Sequence, residues 1–186
     1  MVQMKSAARL LLLTAALLFG IAGAPAQTLF VSPTGKDKPP VAVSGWRYDA
    51  APNDVYMFIC EQHSCILGSK VSYRFYAAGD PMTLEGFRKA QEQVAKALEQ
   101  RTPGNRITVL GVEGDSGTAV PRMFKARRKT VAADGSSEYV VSGMVFGSKA
   151  AASVISSSRD EKTSNANYAL FGVAMMLFVA PAPAKR

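Results

Sequence analysis

Cys60 and Cys65 are the only cysteines among 186 residues, and the only histidine, His63, lies between them in the segment Cys60-Glu61-Gln62-His63-Ser64-Cys65. Three chemistries fit these residue types. A structural disulfide is the first, since the two residues face each other across a short connection; closing so small a loop stabilises by ~2 kcal/mol in the chain-entropy view. Thiol–disulfide exchange is the second, but a thiol activated for attack usually sits at a helix N-terminus with two residues before its partner. Here four residues intervene between β-forming segments. The third is a soft metal such as copper or zinc, bound by two thiolates and the imidazole of Cys60, Cys65 and His63. Their spacing matches no common finger pattern and no fourth ligand is evident. The expectation is therefore a Cys60–Cys65 disulfide, with no metal and no cofactor.

Gly114-Asp115-Ser116-Gly117 resembles, over four residues, the serine segment of chymotrypsin-like proteases. Thr118 and Ala119 follow where that family has glycine and proline, and the chain is too short for its two barrels. His63 is the only imidazole that could serve Ser116 as base, beside a paired cysteine. Nor is Gly111-x-x-Gly114-x-x-Gly117 a dinucleotide fingerprint, because no helix-forming segment follows it directly. No catalytic residue is nominated. A small hydrolase or thiol-redox enzyme stands as the alternative to a binding protein.

The densest charge cluster is Lys125-Ala126-Arg127-Arg128-Lys129. In a strand, Lys125, Arg127 and Lys129 point to one face, spaced ~6.7 Å apart, while Arg122 and Arg128 fall on the other with Phe124 and Ala126. Such a row could grip an anionic surface or partner. The plainer reading is a solvated edge strand whose lysines discourage edge-to-edge pairing.

Several elements must position these residues. Residues 1–26 read as a cleavable signal peptide: Lys5 and Arg9 before the apolar Leu10–Ala22, then Ala24-Pro25-Ala26 as the cleavage signature. Taking Lys5 and Arg9 from the 22 basic residues leaves 20 against 14 acidic, a net charge of +6. The destination is periplasmic or secreted, an oxidising setting that suits the disulfide and makes nucleic acid an unexpected partner. Residues 27–45 form a linker or short strand near Thr28–Ser32, residues 46–180 a globular domain anchored by Trp46, and residues 181–186 a tail.

Within the domain, Asp54–Cys60 and Cys65–Tyr76 read as a hairpin. A helix follows over Pro81–Arg101, capped by Asp80 and buried along Leu84, Phe87, Val94 and Leu98, with Ala90 and Ala97 beside them. Arg106–Val112 reads as a strand. Val120–Ala132 and Glu138–Phe146 form a second hairpin turned at Asp134-Gly135, and Lys149–Ser156 one more strand. Ser158 and Glu161 suggest a capping box opening a final helix to about Val179. That helix carries two apolar stripes, Ala166-Leu170-Val173-Leu177 and Tyr168-Phe171-Met175-Phe178. Its uncharged run, Tyr168–Ala180, covers only ~20 Å and is too short to cross a bilayer.

This order predicts an α+β fold: one domain with an antiparallel sheet of five to seven strands and two helices packed on one face. The functional expectation is an exported cell-envelope binding module for a partner protein or an anionic surface, without an integral membrane span.

Overall fold

The computed structural model describes residues 29–31, 39–79, 82–117 and 119–180, so the leader, the Asp80-Pro81 cap and the C-terminal tail lie outside the described residues. Along the chain come β1 (Leu29–Val31), β2 (Val41–Val43), β3 (Trp46–Ala50), β4 (Tyr56–Cys60), β5 (Lys70–Ala77), α1 (Leu84–Arg101), β6 (Arg106–Gly114), β7 (Arg122–Val131), β8 (Ser137–Phe146), β9 (Ala150–Ser158) and α2 (Glu161–Val179). β3 to β9 form one antiparallel sheet in the order β3-β4-β5-β9-β8-β7-β6, and β1 pairs with β2 alone. The fold is α+β, in one domain.

The two helices lie on opposite faces of the sheet, not on one. β8 shows why. Val141 and Val145 point toward α2, whereas Met144 and Phe146 point the other way, toward the Phe87–Phe124 cluster under α1. A strand apolar on both faces needs a cover on each. α1 carries the chain from β5 across to the far edge strand β6, and α2 returns over β8 and β9.

The larger core lies under α2. Phe171 meets Trp46 edge-on at 5.3 Å and Phe58 at 5.3 Å, and Phe58 and Tyr56 stack on Tyr73. The Tyr73 hydroxyl donates to the Val41 carbonyl at 2.9 Å and accepts from the Val41 N–H at 3.1 Å, clamping β2 over the sheet. Val41 and Val43, which the sequence placed before the domain in a linker, are therefore core residues.

Four local expectations need correction. α1 starts at Leu84, with the Thr83 hydroxyl accepting from the Gly86 N–H at 3.0 Å. Its inward face runs Leu84, Phe87, Gln91, Ala95, whereas Val94 and Leu98 are exposed. Polar partners explain the rotation: Gln91 Oε1 accepts from Ser142 Oγ at 2.9 Å and Arg128 Nη1 at 3.3 Å, and Glu99 accepts from the Ile107 N–H at 2.7 Å. α2 is capped by Asp160, which accepts from the Thr163 N–H at 2.7 Å, and not by Ser158. Ser158 ends β9, and its hydroxyl accepts from Ser69 Oγ. The second arm of the first hairpin begins at Lys70 rather than Cys65, because His63–Cys65 makes a 3-10 turn.

Candidate functional site

The basic row is built on β7, one strand in from the edge, with β6 outside it; the edge-strand reading does not hold. Alternation does. Lys125 and Arg127 project toward the α2 side, whereas Phe124, Ala126 and Arg128 are buried on the α1 side. Burial lowers the Arg128 pKa, and its guanidinium donates to the neutral Gln91 side chain.

Two of the three cations of the row face carboxylates. Lys125 Nζ lies 3.2 Å from Glu113, Arg127 Nη1 lies 3.2 Å from Glu161 at the start of α2, and Arg127 Nε lies 3.8 Å from Glu113. Lys129 instead sits 5.5 Å above the Tyr139 ring. Glu113 and Glu161 are both substantially exposed, so these pairs are screened and an external anion can replace them at small cost. A β-bulge at Leu110 resets the β6–β7 register so that Gly111 faces Arg127. A Cβ at Gly111 would stand 3.1 Å from Arg127 Nη2, so glycine leaves the guanidinium room to lie across the edge strand.

Beside this row, between β7 and α2, runs an apolar groove of about 390 Å³. Met123 and Lys125 form one wall; Ala166, Ala169, Gly172 and Val173 form the other. Tyr168 is the inner wall. It is 2% exposed, and its hydroxyl has no hydrogen-bond partner among the described residues. That hydroxyl rests against Gly143, the cross-strand partner of Lys125. Any Cβ at position 143 would overlap it. Burial, helped by the Glu113 charge, pushes the Tyr168 pKa up, so the group stays a neutral O–H donor. The outer stripe of α2 continues past the groove: Val173 is 53% and Leu177 59% exposed.

A second concavity of about 480 Å³ opens on the other face, between the α1–β6 loop at Asn105 and the disulfide loop at Ile66 and Leu67, floored by Glu138 and Ser157. Its buried hydroxyls, Ser69 and Ser158, satisfy each other at 3.0 Å. Cys60 and Cys65 are disulfide-bonded, with Cα atoms 6.0 Å apart. The bond ties the end of β4 to the 3-10 turn and braces that wall, where Ile66 holds a left-handed φ of 57°. With both sulfurs bonded to each other, no thiolate remains for a metal at His63. His63 and Ser116 lie at opposite ends of the sheet: His63 precedes the start of β5, Ser116 follows the end of β6, and β5 and β6 run parallel. The intervening strand length, on the order of 25 Å, forbids a serine–imidazole pair. Asp115 is a turn residue whose carboxylate accepts from the Met123 N–H at 2.8 Å.

Sequence reasoning nominated Lys125, Arg127 and Lys129 and did not bring Tyr168, Gly143 or Glu113 to the same face. The available signal was a tyrosine in an all-round apolar helix, followed four residues later by Gly172.

No protein-family model matches the chain, and no curated protein matches it in sequence. Among solved structures it is similar to the solution structure of cyanobacterial PsbP (CyanoP) from Synechocystis sp. PCC 6803. The TM-score is 0.53 over 73% of this chain and 82% of that one, at 9% identity. At that identity the likeness is one of fold. Among the described residues, no helix is long and apolar enough to cross a membrane.

Proposed function

We propose that the protein is an exported binding module of the cell envelope, periplasmic or secreted, which meets an anionic surface or partner through the Lys125-Arg127-Lys129 face of β7. One observation carries the reading. Three cations share a face with, among the described residues, two exposed carboxylates paired to them, and an apolar groove borders that face. Cations beside accessible apolar surface favour ligands that are both anionic and apolar. The leader-like N-terminus and the disulfide support the envelope address.

The test is co-sedimentation with vesicles containing anionic phospholipid at low salt, comparing wild type with Lys125→Ser/Arg127→Ser/Lys129→Ser. Wild type binds, the triple variant does not, and binding by wild type weakens as salt rises. Equal binding by both proteins would overturn the assignment of the row.

A further inference from the structure

We infer that the groove between β7 and α2 takes a single-chain amphiphile with an anionic head, such as a long-chain carboxylate, its head at Lys125 and its chain along Met123, Ala169, Gly172 and Val173. The inference rests on the reading that this face of β7 meets an anion, and it adds the ligand class.

Three observations point to such an occupant. First, Met123, Ala166, Ala169, Gly172 and Val173 line the groove, with Lys125 and Asn165 as the polar side chains at its rim. A concave apolar site with a few convergent donors is the usual form of a small-molecule pocket. Second, the Lys125 side chain is partly exposed and its partner Glu113 is 59% exposed, so the pair is screened. A cation held in that way is open to a ligand carboxylate. Third, the groove encloses about 390 Å³. At its floor a single methyl on Gly172 would already touch the Tyr168 ring at 3.7 Å and Met123 Sδ at 3.9 Å, so a chain lies above that floor, between Met123 and the outer Ala169 and Val173. The exposed stripe from Ala169 to Leu177 extends the path by about 12 Å.

Charge orients the ligand. Lys125 now pairs with Glu113, whose own side chain is 59% exposed. An incoming carboxylate takes over the ammonium while Glu113 moves to solvent. Glu113 thus competes with the ligand head for the same cation.

The probe is dodecanoate below its micelle concentration, titrated into the full chain by calorimetry, with monolaurin as neutral-headed control and acetate as head-only control. Wild type binds dodecanoate at one site, monolaurin about tenfold more weakly, and acetate not measurably. Ala169→Phe, at an exposed position, fills the groove and abolishes binding, while its unchanged melting curve shows an intact fold. Glu113→Gln tightens dodecanoate binding. Dodecanoate binding that ignores Ala169→Phe would overturn the inference, as would equal affinity for monolaurin. Dimerisation of the free protein that Ala169→Phe abolishes would mean that a second copy covers the stripe, and would overturn it too. If dodecanoate fails to bind while anionic vesicles still bind through the basic row, this inference falls and the proposed function stands. If neither binds, both fall.

Discussion

Replacing Tyr168 by Phe removes one oxygen and nothing else, and the structure predicts that the protein becomes more stable. The Tyr168 hydroxyl lies against Gly143 without a hydrogen-bond partner. Leaving a hydroxyl buried and unpaired costs ~1–3 kcal/mol relative to its hydrated state in the unfolded chain. Its removal leaves a gap smaller than a water, which at ~24 cal/mol per Å³ returns only a few tenths of a kcal/mol. The net gain is about 1 kcal/mol, or roughly 2–4 °C in Tm for a domain of this size. In urea, with m near ~2 kcal/mol/M, the midpoint moves up by ~0.5 M at unchanged slope. Tyr73→Phe is the internal control. It is the same chemical change, but that hydroxyl holds both the N–H and the carbonyl of Val41, so its loss destabilises by about 2 kcal/mol and exposes the Val41 amide to hydrogen exchange. Loss of stability in Tyr168→Phe as large as that in Tyr73→Phe would refute the reasoning, because it would mean the Tyr168 hydroxyl has a partner.

Gly143→Ala puts a methyl against both the Tyr168 hydroxyl and the Phe124 carbonyl oxygen and destabilises by ~1–3 kcal/mol; adding Tyr168→Phe recovers part of the loss, as a double-mutant cycle by urea unfolding checks. Reducing the Cys60–Cys65 disulfide lowers stability by ~2 kcal/mol but leaves the far-UV spectrum unchanged, since the closed loop is short and both cysteines stay buried in the core as small apolar side chains. Hydrogen bonds from Thr163 hold the Asp160 carboxyl below the usual carboxylate range. Its capping contribution is therefore complete above about pH 4 and fades as pH falls through the depressed value. The Tm difference between wild type and Asp160→Ala should follow that course; a difference that persisted undiminished at pH 2 would exclude the cap as its cause.

Alternation along a single strand was legible without coordinates: it placed Lys125, Arg127 and Lys129 opposite Arg128. The cover on both faces was missed, although the β8 run from Tyr139 to Phe146 carries apolar residues on both sides of the pleat. What apolar periodicity could not give was any face that a polar contact decides. α1 turns Gln91 and Glu99 inward to reach Arg128, Ser142 and Ile107, so Val94 and Leu98 point outward against their hydrophobicity. Ser158 had the spacing of a helix cap, but β9 claims it first, and the cap passes to Asp160. Val41 and Val43 were hidden because three residues between prolines and a turn are too few to show a period. The groove was hidden because its parts are distant in sequence. Tyr168 is buried against Gly143, which the sheet register sets beside Lys125, and Lys125 in turn sits opposite Glu113.

The central claim is that the ligand meets this molecule between β7 and α2. The most direct test is an amide chemical-shift titration of the isotope-labelled protein with dodecanoate. The account predicts saturable shifts concentrated at Met123, Lys125, Ala169, Gly172 and Val173, with the Ile66–Lys70 loop unmoved. Shifts centred on that loop and on Ser157 would place the binding site in the hydroxyl-lined cleft of the opposite face and contradict the account.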